Sequence, residues 1–211
     1  MERERVGQVG SPVVIRDLHG GDILPHIDAL ADLRMRVFRA FPYLYEGDRD
    51  YERHYLTAYA QSAGAYVAGA FARSASGEEV LVGAATATPM VDHADDFAEP
   101  FLAAGMDIAT IYYFGESVLL PQWRGHGVGH AFFERREAAA RARGFPMAAF
   151  CAVVRPPDHP DRPGDYSPLD PLWRRHGFAP VDGLVCQFDW KDVGQAAESS
   201  HPMQFWMKAL G

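Results

Sequence analysis

The stretch ESVLLPQWRGHGVGHAFFERREAAARARGF, from Glu116 to Phe145, decides the fold that this sequence predicts. It begins as an apolar, β-prone run, breaks at Pro121, and continues as an Ala-, Arg- and Glu-rich segment over residues 128–143 that is typical of a helix. Three glycines stand at alternate positions between the two, at 125, 127 and 129. Glycines there let a backbone approach a ligand closely, and the first turn of a helix attracts anions through its unpaired N–H groups. The order strand, glycine loop, helix therefore indicates a phosphate site, with Arg124 as an added cation.

The remaining chain alternates strand and helix patterns around this unit. Strands are predicted over 12–18, 65–72, 81–90, 110–120, 146–154, 183–190 and 202–210, and helices over 23–41, 48–64, 128–143 and 167–178. Residues 91–108 are acidic and irregular, with room for a short helix, and 155–168 form a proline-rich loop. This order predicts an α+β (α/β mixed) domain over residues 12–211, preceded by a flexible tail over 1–11.

Composition excludes several classes of protein. The 211 residues are 48% hydrophobic and carry a formal net charge of −8, which supports a sizeable core and argues against nucleic-acid binding. Neither an apolar leader nor a run of about 18 apolar residues is present, so we expect a cytoplasmic protein that does not engage membranes. The two cysteines, Cys151 and Cys186, stand in no zinc-ligand spacing, and His126 and His130 lack the glutamate of a metal-binding HExxH helix. No metal is expected, and an inert, buried Cys151 is the ordinary reading.

Three kinds of phosphate loop compete for the glycine stretch. A P-loop requires GxxxxGK[ST], and no lysine follows these glycines. A dinucleotide fingerprint requires GxGxxG, but His130 stands where its third glycine belongs, and the loop comes late in the chain. An oxidoreductase that binds NAD is therefore disfavoured.

The third kind is an acetyl-CoA loop. The stretch PQWRGHGVGHAFF resembles motif A of the GCN5-related N-acetyltransferase (GNAT) superfamily, Q/R-x-x-G-x-G/A, and the order of elements resembles that superfamily over nearly the whole chain. WRRHGF over 173–178 resembles its Y-x-x-x-G-F segment, and two C-terminal stretches resemble an uncharacterised bacterial branch. The resemblance implies a mixed, mostly antiparallel sheet of about seven strands, flanked by helices, with two strands splayed apart at an acetyl-CoA cleft.

The resemblance also assigns cofactor contacts. The backbone of the strand before motif A would bond the pantetheine arm, and the loop amides would bind the pyrophosphate, flanked by the two histidines. The residues so assigned are Val118, Leu119, Leu120, Gln122, Arg124, Gly125, His126, Gly127, Val128, Gly129 and His130. A bulge in the strand is typical of the family, and backbone N–H groups there would polarise the thioester carbonyl.

The implied reaction is direct transfer of an acetyl group to an amine in a ternary complex. Because an alkyl ammonium cannot attack while protonated, a general base is useful, and Glu116 on the splayed strand is the candidate. The family commonly places a tyrosine four residues before the glycine of its G-F pair as general acid, but Trp173 stands there. Tyr166, Tyr113, Tyr112 or water would replace it. The missing tyrosine keeps open a non-catalytic acyl-CoA-binding sensor or partner module.

The acceptor is expected between the first two helices and the proline-rich loop, as a small-molecule or peptide amine. Tyr43, Tyr45 and Glu46 offer aromatic walls and a carboxylate for such an amine. Arg155 in the loop would instead suit an acidic acceptor, so both kinds stay open. Family members often dimerise, and the apolar strand over 203–207 is a candidate homodimer interface.

Overall fold

The computed structural model describes residues 13–211, so the predicted tail over 1–11 lies outside the described residues. The helices are α1 (Ile27–Phe38), α2 (Arg49–Gln61), α3 (Ala94–Ala103), α4 (Val128–Ala142) and α5 (Asp170–Arg175). The strands are β1 (Val14–His19), β2 (Tyr66–Arg73), β3 (Glu79–Pro89), β4 (Ile111–Leu119), β5 (Met147–Val153), β6 (Ala179–Trp190) and β7 (Ser199–Ala209).

The seven strands of the described chain form one sheet in the order β1-β2-β3-β4-β5-β7-β6. Every neighbouring pair is antiparallel except β4 and β5, which run parallel. This is the mixed, mostly antiparallel sheet that the sequence predicts, and the α+β fold class is confirmed.

Local sequence signals explain where several helices begin and end. The carboxylate of Asp48 accepts a hydrogen bond from the backbone N–H of Tyr51 at 2.8 Å, which caps the start of α2. Helix α4 is followed by Gly144 at φ 79°, a conformation that glycine adopts without strain. The predicted helix over 167–178 is wrong in length, because only Asp170–Arg175 is helical, between the proline-rich loop and Gly177 at φ 82°.

The helices cover opposite faces of the sheet, and β4 shows the division. The ring of Tyr113 meets Phe97 of α3, and Glu116 pairs with Arg34 of α1. Between them, the ring of Phe114 points the other way and lies under the guanidinium of Arg136 of α4. We call these the α1 face and the α4 face; side chains from β4 serve both.

The C-terminal strand lies inside the sheet. β7 pairs with β5 on one side and β6 on the other, and Met203, Phe205 and Trp206 are buried within the chain. The predicted use of 203–207 as an exposed dimer surface is therefore wrong, because neighbouring strands and helices already cover these side chains. A homodimer itself stays a prediction and would need another surface.

Candidate active site

The cleft opens where β4 and β5 part. Their parallel pairing covers only Ile111–Tyr113 against Met147–Ala149, although both strands continue further. Beyond Tyr113, the edge of β4 that faces β5 has no strand partner in the described chain. The backbone predicted to hold pantetheine, from Val118 to Leu120, follows this free edge, so the splay that the resemblance implies is present.

A bulge in β4 accompanies the splay. Ala85 faces Ser117 and Ala87 faces Phe114, so β4 contains one residue more than β3 across this interval. Thr86 secures the bulge, because its Oγ1 accepts a hydrogen bond from the backbone N–H of Glu116 at 3.1 Å. A Cβ at position 115 would stand 2.5 Å from the same oxygen, which explains the glycine found there.

The glycine loop leads from β4 to the N-terminus of α4. Gly125 and Gly127 have φ of 78° and 80°, and an added Cβ on either would meet no atom within 4 Å. Glycine is thus required by backbone conformation and leaves open space beside the loop. Gly127 is also the N-cap residue of α4, and no side chain caps this end among the residues described. The first N–H groups of α4 are therefore free to bind an anion, which fits a diphosphate.

The polar side chains predicted to join this loop lie around it. Arg124 is exposed, and its Nε donates to the carbonyl of Leu119 at 3.2 Å, which leaves its terminal amino groups toward solvent. His126 is exposed, and its ring binds the carbonyl of Arg124. His130, in the first turn of α4, lies 2.9 Å from His176, nitrogen to nitrogen. Gln122 is exposed in the turn before the loop. Their roles toward a cofactor stay predictions.

Glu116 occupies the cleft in a buried ion pair. Its carboxylate lies 2.8 Å from the guanidinium of Arg34, and its side chain is 8% exposed. Arg34 also donates through Nε to the carboxylate of Glu52, which is completely buried. Burial alone would lower the pKa of Arg34, but Glu116, Tyr55 and Glu52 together raise it far above its ordinary value. Arg34 is therefore a permanent cation between two carboxylates, a group we call the Glu–Arg–Glu cluster.

Tyr113 faces the α1 side of the cleft. Its hydroxyl lies 3.1 Å from the Cys151 sulfur, and burial, followed by the Cys151 thiol, raises the pKa of Tyr113 well above its usual range. The pKa of Cys151 is also well above its usual range, because of its contact with Cys186 and its burial. A thiol that holds its proton is a poor nucleophile, which agrees with the inert reading of Cys151.

Tyr43 and Tyr166 come from the two segments that are predicted to bind the acceptor. Burial raises the pKa of Tyr43 strongly, and Cys151, Glu116 and Tyr166 raise it further. Tyr166 comes from the proline-rich loop and packs edge-on against Phe41, 4.7 Å between ring centres, and burial raises its pKa. Tyr166 thus lies against Phe41, in the segment that also contains Tyr43, and the roles of both tyrosines stay predictions.

The other predicted acceptor residues are differently engaged. Tyr45 lies beside Glu52. Burial contributes most to the raised pKa of Tyr45, and the Glu52 carboxylate raises it further. Glu46 makes a half-exposed ion pair with Lys191 at 3.0 Å. Arg155 donates to both carboxylate oxygens of Asp192, at 2.9 and 2.7 Å, and to backbone carbonyls of the segment 42–43. These bonds tie the proline-rich loop to the segment before α2, so Arg155 has a structural position with little capacity left for an acidic acceptor.

Trp173 lies on the α4 face, away from Glu116. Its ring packs against Phe150 and Trp206, with ring centres 5.1 and 5.0 Å apart. The family position that commonly holds an acid is therefore part of the core here.

Three charged residues near the cleft were missed at the level of sequence. These are Arg34 and Glu52 of the Glu–Arg–Glu cluster, and Arg136, which is 2% exposed beneath the bulge on the α4 face. The sequence contains a signal that could have found these three residues. Each stands three or four residues from buried apolar positions of its own helix, on the face where an apolar residue is expected.

Neither a metal-binding cluster nor a membrane-spanning helix is found among the described residues. No cluster of three or more His, Cys, Asp or Glu side chains there is arranged to hold a metal ion. None of the helices described has both the length and the apolar character needed to cross a membrane.

The architecture of this chain matches that of known proteins whose structures have been solved. No family model matches the sequence, and no curated protein matches it. Solved structures do match. An N-acetyltransferase from Staphylococcus aureus Mu50 superposes with a TM-score of 0.56 at 13% identity, over 95% of this chain and 100% of its own. A ribosomal-protein-alanine N-acetyltransferase from Brucella melitensis gives 0.56 at 14% identity, over 93% and 99%.

A third match comes from a complex with the cofactor. A GNAT superfamily phosphinothricin acetyltransferase from Sinorhizobium meliloti, solved with acetyl-CoA, gives a TM-score of 0.53 at 15% identity, over 94% of this chain and 89% of its own. Similarity of this extent at such low identity shows the fold alone. The chain has the fold of the GNAT acetyltransferases over about 95% of its length.

Proposed function

We propose that this protein is an acetyl-CoA-dependent N-acetyltransferase that acetylates a primary amine of a small molecule or peptide in a ternary complex. One observation carries the proposal: β4 bulges, leaves β5, and ends in a glycine loop at an uncapped helix N-terminus, with a buried carboxylate at the bulge. The first three features suit a thioester cofactor with a diphosphate, and the fourth suits removal of a proton from an amine.

The residues of the chain divide the work as follows. When bound, acetyl-CoA supplies the activated acetyl group. The glycine loop and the first turn of α4 hold its diphosphate, and the free edge of β4 aligns the pantetheine arm and directs N–H groups at the thioester carbonyl. Arg124 adds a cation at the loop.

Glu116 acts on the acceptor. An alkyl ammonium has an ordinary pKa of about 10.4 and must lose a proton before it attacks. Glu116 takes that proton, the neutral nitrogen bonds to the carbonyl carbon, and the carbon–sulfur bond breaks. The new amide nitrogen releases its second proton, which replaces the proton given to the departing thiolate. The departing thiolate needs a proton, and Tyr113 and Tyr166 are the candidate donors, because a tyrosine hydroxyl holds its proton at neutral pH.

Thermal unfolding with acetyl-CoA, CoA, NAD and ATP tests the cofactor. A ligand at a hundredfold excess over its Kd adds about 2.7 kcal/mol to the free energy of unfolding, or roughly 5–10 °C in midpoint. We expect such a shift with acetyl-CoA, reduced in Arg124→Ala but kept in Arg143→Ala, which removes an exposed arginine from the far end of α4. A shift with NAD alone would contradict the proposal, and so would the absence of a shift with all four ligands.

Transfer itself needs a second readout. Release of free CoA thiol that depends on an added amine, and that is lost in Glu116→Gln, would identify an enzyme. Binding of acetyl-CoA with no transfer to any of a broad panel of amines would favour the acyl-CoA-binding module instead.

A further inference from the structure

Arg136 is a buried cation whose hydrogen bonds all go to neutral groups. Within the described chain, its guanidinium donates to three backbone carbonyls and to the Ser117 hydroxyl, and to no carboxylate. The rings of Phe114 and Phe133 enclose it, with centres 4.5 and 5.1 Å away. Burial lowers the pKa of Arg136 to about 10, against the attraction of Glu116 across the strand, so the guanidinium stays charged at neutral pH.

The charge itself needs an explanation. A buried charge without a hydrogen-bonded counter-ion is costly, and a neutral amide side chain could donate to carbonyls at a lower cost. Arg136 lies directly beneath the bulge of β4, so the backbone around the bulge is where its charge acts.

The N–H groups of β4 alternate between its two edges. The N–H of Glu116 points toward β3 and donates to Thr86 Oγ1 at 3.1 Å. The N–H of Leu120, just past the end of the strand, also donates to a carbonyl of β3, at 3.0 Å. Since successive N–H groups of a strand point to opposite edges, those of Ser117 and Leu119 point to the free edge of β4, in the cleft.

One peptide connects Arg136 to that free edge. The carbonyl of Glu116 and the N–H of Ser117 belong to the same planar, trans peptide and point in opposite directions. Nη1 of Arg136 lies 3.4 Å from this carbonyl and 3.4 Å from the carbonyl of Thr86, at the point where the bulge interrupts the ladder between β3 and β4. A cation at the carbonyl polarises the peptide, and a polarised peptide has a stronger N–H donor.

We propose that Arg136 is a positioning residue for acetyl transfer, whose charge strengthens the Ser117 N–H as a donor to the thioester carbonyl of acetyl-CoA. This inference rests on the proposed function and adds a residue to it. Negative charge develops on the carbonyl oxygen when the amine attacks, and a fixed cation one peptide away stabilises that charge in a buried site. Arg136 acts from the α4 face, whereas Glu116 meets the amine from the α1 face.

Infrared spectroscopy of bound acetyl-CoA tests this role without an acceptor. Acetyl-CoA with and without an isotopic label at the thioester carbonyl gives a difference spectrum in which only that carbonyl appears. Its stretching frequency falls as the hydrogen bond to it strengthens, because the carbon–oxygen bond weakens. Unfolded protein binds no cofactor, so partial unfolding lowers the intensity of the bound band and leaves its frequency unchanged.

We expect binding to the parent protein to lower the carbonyl frequency, and Arg136→Met to lose at least half of that shift. Arg136→Lys keeps a cation with fewer donors and should lie between the two. With any amine that is acetylated, Arg136→Met should lower kcat by about tenfold and change the Kd of acetyl-CoA by less than about threefold.

Two controls separate this role from general destabilisation. Arg135→Met removes the neighbouring arginine, which makes a surface ion pair with Asp17, and should keep the full shift. Leu184→Ala removes a buried side chain from β6, at the far edge of the sheet, and should keep the full shift although it destabilises the fold.

Two results would overturn the inference and leave the proposed function intact. The first is a carbonyl band in Arg136→Met at the frequency of the parent; if that variant does not fold, an unchanged band in Arg136→Lys has the same meaning. The second is a band in Leu184→Ala that is displaced as far as the band in Arg136→Met. Absence of any bound carbonyl band in the parent protein would count against the proposed function and this inference together.

Discussion

Replacement of Arg136 by methionine should measurably loosen the cleft. The buried guanidinium donates to the carbonyls of Phe132, Thr86 and Glu116, at 3.2, 3.4 and 3.4 Å, and to Ser117 Oγ at 2.8 Å. The carbonyls of Thr86 and Glu116 belong to the bulge, where the ladder between β3 and β4 is interrupted. Methionine preserves the apolar stem and removes every one of these donors.

The expected loss in free energy of unfolding follows from two opposing effects. The two shorter bonds come from a charged donor and are worth about 1.5–3 kcal/mol each, and the longer two less. Against them, burial lowers the pKa of Arg136 to about 10, which corresponds to a penalty of about 3 kcal/mol on the charged form. Carbonyls left unpaired in Arg136→Met add a further cost, so the free energy of unfolding should fall by about 2–4 kcal/mol.

Urea unfolding followed by circular dichroism measures this change, and the thermal midpoint should fall by about 5–12 °C. Arg135→Met is the matched control, since Arg135 is the neighbouring residue, half-exposed, in a surface ion pair with Asp17, and should cost less than about 1 kcal/mol. Equal effects of the two substitutions, or an Arg136→Met protein as stable as the parent, would refute the reasoning.

Three further predictions concern the bulge, the loop and pH. Gly115→Ala should lower the free energy of unfolding by about 1–3 kcal/mol, because its Cβ would stand 2.5 Å from Thr86 Oγ1. In a double-mutant cycle followed by urea unfolding, the double variant with Thr86→Ala should cost less than the sum of the single changes. Strict additivity would contradict the clash. Gly127→Ala should lower the free energy of unfolding by about 1–2 kcal/mol, because position 127 has a left-handed backbone conformation. Gly129→Ala, in the first turn of α4, should be neutral or stabilising by up to about 1 kcal/mol, because its Cβ would meet only a side-chain carbon 3.8 Å away. A lower thermal midpoint for Gly129→Ala than for Gly127→Ala would refute this. Burial lowers the pKa of His201 below its unfolded value of 6.5, so the unfolded chain binds more protons and stability should fall as pH drops below about 6.5. His201→Gln should make that fall less steep in urea titrations from pH 7.5 to 5.5. An unchanged slope would exclude His201 as its source.

The sequence predicted the parts of this molecule that depend on local chemistry. The glycine loop and the strand and helix α4 on either side of it follow from residue types and spacing, and the structure confirms them. Glu116 was singled out because it stands on the strand that the GNAT resemblance implies is splayed, two residues before the predicted pantetheine contacts. These features involve residues that lie close together along the chain.

What the sequence left unpredicted depends on contacts between distant segments. Arg34 and Glu52 come from different helices. Arg34 reaches Glu52 and Glu116 only after α1 has packed against α2 and β4, so spacing alone gives no sign that they pair. Arg155 was expected to face an acceptor because its partner, Asp192, lies 37 residues further on. Arg136 resembles any other arginine of a polar helix until the face it buries is known.

The parallel contact between β4 and β5 is the shortest strand pairing in the sheet of the described chain. Three residue pairs join a four-stranded block, β1 to β4, to a three-stranded block of β5, β7 and β6. A ligand that lies in the gap beside them and bonds to the free edge of β4 acts as an eighth strand, bridging the blocks where the protein's own hydrogen-bond ladder stops. Opening of one block against the other would then be suppressed by the cofactor, so the same molecule that delivers the acetyl group would also complete the architecture that holds it.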